Sequence, residues 1–242
     1  MLVCIDAGHA ESTAGKRSFD GTLREYEFNR AVAVLLKYHL NRHGIDTIFS
    51  CDLDIYKDVS LSERCSVANN AKADLFISIH ANAYGTTWNS SNGWEIFHHK
   101  NSANGKRLAE AIHKAGVPTT KNNVRTLQFL GLTDRGIKTN TFTVLTNTNM
   151  PAVLIEHGFY TNKAECEKLK DVEFRKKCAI ADAKGILNYL GVVWKKETAE
   201  TPINDDIDVI KNKIGLADET IEYLKAYKYG KELIEKIAKA VK

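Results

Sequence analysis

The stretch ADLFISIHANA (73–83) decides the fold. Its centre, LFISI (75–79), is a short apolar run with β-branched and aromatic residues, too short for an ordinary helix, so it reads as a buried strand that His80 closes. Two further segments have the same form. LVCID (2–6) is a buried strand leading through Ala7 and Gly8 to His9, and AVLIEHGF (152–159) carries Glu156 near its end. Between these strands the apolar period changes. Phe28, Val32, Leu35, Leu36 and Leu40 recur at helical spacing from Glu25 to His43, and Gly44 stops the pattern. DTIFS (46–50) reads as a strand, and about Ser60 to Ala73 as a helix. GWEIFHH (93–99) reads as a half-exposed strand, and Ala103 to Ala115 as a helix. FTVLT (142–146) reads as a strand, and Lys163 to Tyr189 as a helical region that breaks near Asp171. Such alternation predicts an α/β fold, a twisted and mostly parallel sheet with helices on both faces, over residues 1–194.

Beyond Trp194 the pattern weakens. Residues 195–206 (KKETAETPINDD) are polar and contain Pro202, as a linker does. Residues 207–242 hold short amphipathic segments separated by Gly215 and Gly230, which predicts a small helical module that docks on a partner or on a second copy of itself. The whole chain has 242 residues, 43% hydrophobic and 26% charged, which excludes wholesale disorder. A net charge of +4 is too small to argue for nucleic acid as a partner. No run of about 18 apolar residues is present, so no membrane span is expected. The N-terminus has no basic segment followed by an apolar one, so synthesis in the cytoplasm without a signal peptide is expected. The five cysteines form no CxxC pair, and Cys4, Cys65 and Cys178 fall in apolar patterns as core filler.

The chemistry gathers at strand ends. His9, His80 and Glu156 lie at the carboxyl ends of three predicted strands, the edge where open α/β sheets bind ligands. Glu25 opens the first long helix, whose first turn can face the same crevice. Two imidazoles and a carboxylate with an open fourth position form the usual ligand set of a hydrolytic zinc site, which leaves Glu156 as the acid/base group. Taken singly, each of these residues has a plain structural reading, a hydrogen-bonded loop histidine or a carboxylate suited to a helix dipole. His39, His43, His98, His99 and His113 are read in that plain way. Glu27 competes with Glu25 but lies about 200° around the helix.

In order, IDAGH, EYEFN, LSERCSVAN, ADLFISIHANA and DRGIKTNTFTVLTNTNMPAVLIEHGFYTN resemble the zinc-dependent N-acetylmuramoyl-L-alanine amidase family, from residue 2 to about residue 191. The resemblance implies one Zn2+ held by His9, Glu25 and His80, with Glu156 catalytic. It implies peptidoglycan as substrate, cut at the amide between N-acetylmuramic acid and L-alanine. Departures from the family pattern, Ala10-Glu11-Ser12 after the first histidine and Tyr26 after Glu25, bear on loop shape and substrate preference.

Other positions have two readings each. Asn82, Arg135 and Lys138 are candidate substrate contacts, the two cations toward a stem-peptide carboxylate; a loop cap and a turn of solvated charges are the alternatives. Arg64 is read chiefly as a structural tie. Tyr84, Trp88 and Trp94 offer stacking faces for sugar or merely cover an edge. The tail LADETIEYLKAYKYGKELIEKIAKAV is similar to wall-targeting modules of bacteriophage endolysins and prophage amidases. Tyr223, Tyr227 and Tyr229 beside Lys225 and Lys228 are then a surface for a secondary wall polymer or glycan, or else the module's core, and its apolar stripe permits a homodimer. Together these features suggest a phage or prophage endolysin that reaches the wall after holin-type release. A mother-cell autolysin of a spore-former and a non-catalytic wall-binding protein are the competing readings.

Overall fold

The computed structural model describes residues 1–54, 56–121 and 124–195, and beyond them 207, 210–211, 214–217, 220–221, 224 and 230–241. Eight strands alternate with helices along the chain. They are β1 (Leu2–Ala7), α1 (Glu25–Asn41), β2 (Asp46–Phe49), α2 (Leu61–Asn70), β3 (Leu75–Asn82), β4 (Trp94–His98), α3 (Ala103–Ala115), β5 (Pro118–Lys121), β6 (Val124–Leu127), β7 (Leu132–Thr139), α4 (Thr143–Thr146), β8 (Ala152–Phe159), α5 (Lys163–Lys170), α6 (Val172–Tyr189) and α7 (Gly230–Val241). The strands form one sheet in the order β2-β1-β3-β8-β4-β7-β6-β5. β2, β1, β3 and β8 run parallel; β4 enters antiparallel to β8, β7 follows it in parallel, and β5 and β6 add antiparallel pairings at the far edge.

Alternation along the strands builds two cores. Cys4, Phe76, Ala152 and Leu154 face Cys65 and Ala68 of α2 and Val144 and Leu145 of α4. The intervening residues Ile5, Ile77, Ile79, Val153 and Ile155, all fully buried, point to the other face, where α1, α3 and α6 pack. Each such side chain contributes about 1.5–3 kcal/mol by leaving water. Asp171 both ends α5 and starts α6, its Oδ1 accepting the Phe174 N–H at 2.6 Å, so the helical region breaks where the sequence predicted.

The strand expected at FTVLT (142–146) is instead the single helical turn α4. Consecutive residues Val144 and Leu145 are both buried against one core, which a strand with alternating faces does not allow. Strands β5, β6 and β7 carry too few apolar residues to show in the pattern.

The chain divides into two compact units, Met1–Val193 and Trp194–Lys242. In the second, Ile207, Ile210, Ile221, Ile234 and Ala238 are buried together, with Leu216, Leu224 and Ile237 packed against them. Residues 196–206, Tyr223, Tyr227, Tyr229, Lys225 and Lys228 lie outside the described residues. Among the described residues no helix is long and apolar enough to cross a membrane.

Candidate active site

Sheet register assembles the site as one row across four neighbouring strands. On β3 and β8, His80 pairs with Glu156; on β8 and β4, Glu156 pairs with Glu95; on β4 and β7, Glu95 pairs with Gly136. Gly8, one residue past the last registered pair Ala7↔Ile79, continues the row on the other side, and its N–H donates to the Ile79 carbonyl at 3.1 Å. The His80 ring lies directly over Gly8: a Cβ there would stand 2.1 Å from the imidazole. Only glycine lets His80 occupy this place.

Two bulges bound the row. β8 gains a residue between the pairs His80↔Glu156 and Asn82↔Phe159, where Gly158 adopts φ 119°. β7 gains Arg135 between Trp94↔Asp134 and Glu95↔Gly136, where Gly136 adopts φ 81°. Such insertions re-aim side chains beside active sites. Here they turn Phe159 and Arg135 to one side, the guanidinium lying 5.0 Å from the ring centroid.

His9, Glu25 and His80 meet at the end of this row. Their ligand atoms all lie within 4.8 Å of one another. Helix α1 delivers Glu25 because the Glu27 carboxylate accepts the Arg24 N–H at 3.0 Å, which fixes the first turn and leaves Glu27 outside the cluster. One turn further, Asn29 donates to the Gly8 carbonyl at 2.8 Å and ties the helix to the row. Glu25 Oε1 accepts from His80 Nδ1 at 2.9 Å, while its Oε2, sealed from solvent and without a hydrogen bond, faces His9 Nε2 at 3.4 Å.

Burial alone would raise the Glu25 carboxyl, but the hydrogen bond and charge of His80, with His9 and Lys16, hold it below the usual range. His80 is pushed up in return, since Glu25 outweighs its burial. His9 falls to about 4, chiefly through burial, so its nitrogens stay free of a second proton at neutral pH. A buried carboxylate oxygen with no donor beside two imidazoles fits a divalent cation of zinc's preference.

Glu156 stands next to this cluster with Oε2 also buried and without a hydrogen bond. Burial raises its carboxyl to about 8; His80 and Lys16 oppose the shift, and Glu25 and Glu95 add to it. The neighbouring residue, His157, points through the sheet to donate to Asp182 of α6 at 2.9 Å, which anchors β8 from behind.

Glu95 has no counterpart in the sequence reading, and three expected substrate contacts converge on it. Asn82 Nδ2 donates to its Oε1 at 2.8 Å, Arg135 Nε donates to its Oε2 at 2.6 Å, and Lys138 Nζ donates to the same oxygen. The cations outweigh burial and hold Glu95 below the usual carboxylate range. Glu95 and His98, the polar residues of WEIFH, lie three positions apart, so no alternation in the sequence marks Glu95.

The remaining expectations sort by contact. Arg64 is a tie, as read, donating to Asp6 Oδ1 and the Ala7 carbonyl at 2.7 Å each. Trp94 is buried on the interior strand β4 and packs beside His113, whereas Tyr84 is exposed and Trp88 packs on Phe19. His43, His98 and His113 hydrogen-bond the His39 carbonyl, the His99 carbonyl and Asp134, away from the cluster. All five cysteines are free thiols; burial pushes Cys4 up to about 12 and makes it inert core.

The family model described as N-acetylmuramoyl-L-alanine amidase matches residues 3–188. The chain is 37% identical over 189 residues to the N-acetylmuramoyl-L-alanine amidase LytC of Bacillus subtilis (strain 168), spanning 77% of this chain and 35% of LytC. It is 32% identical over 213 residues to the endolysin of Bacillus phage SPP1, spanning 85% of this chain and 71% of that protein. The catalytic domain of CwlV, an N-acetylmuramoyl-L-alanine amidase from Bacillus (Paenibacillus) polymyxa var. colistinus, superposes with a TM-score of 0.67 at 33% identity, covering 79% of this chain and 99% of that domain. The family match, residues 3–188, takes in every strand contributing to the polar row, and the chain belongs to the N-acetylmuramoyl-L-alanine amidase family.

Proposed function

We propose that this chain hydrolyses the amide between N-acetylmuramic acid and L-alanine in peptidoglycan, with zinc held by His9, Glu25 and His80 and with Glu156 as the proton-transfer group. The observation that carries the reading is the pair of buried carboxylate oxygens without hydrogen bonds, one on Glu25 among the imidazoles and one on Glu156 beside them. Zinc, when bound, supplies Lewis-acid activation of water and of the scissile carbonyl. Glu156 accepts the proton of the attacking water and delivers it to the leaving amine of L-alanine, so a single carboxyl serves as base and then as acid. Its high proton affinity suits both tasks near neutral pH.

Arg135 and Lys138 place two positive charges on the single Glu95 carboxylate, and this net positive rim suits a stem-peptide carboxylate, with Asn82 at its edge. The similarity to the SPP1 endolysin, the longer of the two sequence matches, supports a lytic role on the bacterial wall from the cytoplasmic side once the membrane is breached. The second unit is then a wall-polymer binder. Incubation with purified peptidoglycan tests the activity: new L-alanine amino termini are expected, and new reducing sugars or internal peptide termini instead would overturn it.

A further inference from the structure

Strands β4 and β8 pair from His98↔Val153 to Glu95↔Glu156, and their ladder stops there. Beyond it a carboxylate takes the place of strand pairing. Glu165 of α5, itself buried, accepts the Phe159 N–H on Oε2 at 2.8 Å. It also accepts the Gly93 N–H, at 2.9 Å on Oε1 and 3.1 Å on Oε2. Both donors are buried, where a backbone N–H needs an acceptor. The first turn of α5 holds Glu165 in place, since Asn162 Oδ1 accepts the Ala164 and Glu165 N–H groups at 3.0 and 3.2 Å. Burial leaves the Glu165 carboxyl raised although both N–H groups draw it down. The two residues held in this way are the two supports of Arg135. Its stem lies against Gly93, where a Cβ would stand 3.0 Å from Arg135 Cγ and Cδ. Its guanidinium lies 5.0 Å from the Phe159 ring centroid. Nε donates to Glu95 at 2.6 Å and Nη1 reaches the Asn92 carbonyl only at 3.4 Å, while Nη2 donates to nothing among the described residues. The side chain is 35% exposed, and a guanidinium with N–H groups left over suits a carboxylate ligand.

We propose that Glu165 is a positioning residue for Arg135: by holding the backbone of Gly93 and Phe159 it fixes the two surfaces on which the arginine side chain lies, and so aims the guanidinium at a stem-peptide carboxylate of the substrate. Glu165 acts from behind these surfaces and does not itself touch substrate. A planar guanidinium recognises a carboxylate by direction as well as charge, so a shift of either support spoils the contact while the positive charge remains. The inference rests on the rim contact proposed above.

The test uses the zinc-loaded full chain and two substrates, a soluble muramyl-peptide fragment with its stem carboxylates free and the same fragment with them amidated. Wild type is expected to show a KM about 10-fold lower for the acid, the effect of one charge-assisted hydrogen bond. Glu165→Gln keeps the shape of the side chain but turns an amide NH2 toward a backbone donor. Its KM for the acid is expected to rise to that for the amide, with kcat within about threefold, because losing a contact common to ground and transition states raises KM alone. A purely architectural Glu165 would give a lower Tm with the preference for the acid intact, and that result would overturn the proposal. Wild type that cuts both fragments equally well would overturn the rim contact itself, and wild type that cuts neither would overturn the amidase reading. Should Glu165→Gln not fold, Glu165→Asp decides: its shorter side chain cannot span both N–H groups, the same loss of preference is expected, and a preference of wild-type size would sink the proposal.

Discussion

Glu156 and Glu95 are cross-strand neighbours on one row of one sheet, and the protein treats them in opposite ways. Glu95 accepts from an amide, a guanidinium and an ammonium; Glu156 has an oxygen with no donor at all. Burial is common to both, so burial alone does not set a satisfied carboxylate apart from an unsatisfied one. What separates them is whether the fold has supplied the compensating partners. A folded chain that leaves a sealed carboxylate oxygen unmatched gives up stability there, about 1–3 kcal/mol for such a group, and an oxygen without a hydrogen bond appears also on Glu25 of α1, beside His80.

The contrast can be broken most forcefully at Glu156. Glu156→Gln should lower kcat/KM on peptidoglycan fragments by about 10²–10⁴-fold, with zinc content near one per chain. Loss of zinc from this variant would make Glu156 a ligand and dissolve the distinction. Gly8→Ala comes next, since its methyl group meets the His80 ring. The expected outcome is substoichiometric zinc in a protein that still folds, measured by metal analysis and circular dichroism. Full zinc occupancy would show that His80 can stand elsewhere.

Glu95→Gln should act on the other side of the comparison. It strands two cations that are each about a third exposed, so solvent softens the loss, and a cost of about 1–2 kcal/mol is expected. That corresponds to a Tm about 2–8 °C lower, with kcat on peptidoglycan fragments expected to be unchanged. A large fall in kcat at unchanged Tm would mean that Glu95 takes part in the reaction.

The pH dependence is the most discriminating test, because the two acids have opposite signs. Glu95 titrates below the ordinary carboxyl value of 4.5, so its share of stability is present above that value and drains away as pH falls through the lowered one. Glu156 titrates near 8, so the metal-free fold favours its protonated form and loses stability as pH climbs from 4.5 toward 8. Melting curves of metal-free wild type and the two glutamine variants should therefore diverge at opposite ends of the scale: Glu156→Gln relieves the alkaline loss, and Glu95→Gln removes the acid one. Parallel curves would say that the two carboxylates differ only in geometry.

Much of this was legible in the sequence. His9, His80 and Glu156 announced themselves because each closes or nearly closes an apolar run, where packing gives no reason for a charged or ligating group. Glu25 was readable from its place at a helix start after the His9 loop. Glu95 was hidden, since a glutamate inside a half-exposed strand looks like a solvated one until the register sets it against Glu156. FTVLT misled because a short apolar run with β-branched residues carries no period long enough to tell a strand from one turn of helix. LTDRGIKT was missed because Leu132 and Ile137 are its only large apolar residues and the inserted Arg135 breaks the alternation between them.

The paired bulges have a consequence for how such a site changes over time. Arg135 and the extra residue near Gly158 are each one-residue insertions that flip which side chains look into the crevice beyond them. A lineage losing either residue by in-frame deletion would exchange the entire rim in a single event, replacing Arg135 or Phe159 with whatever now sits on the outer surface. Where the rim meets substrate as proposed above, small indels there would alter that contact while the row beneath keeps its register.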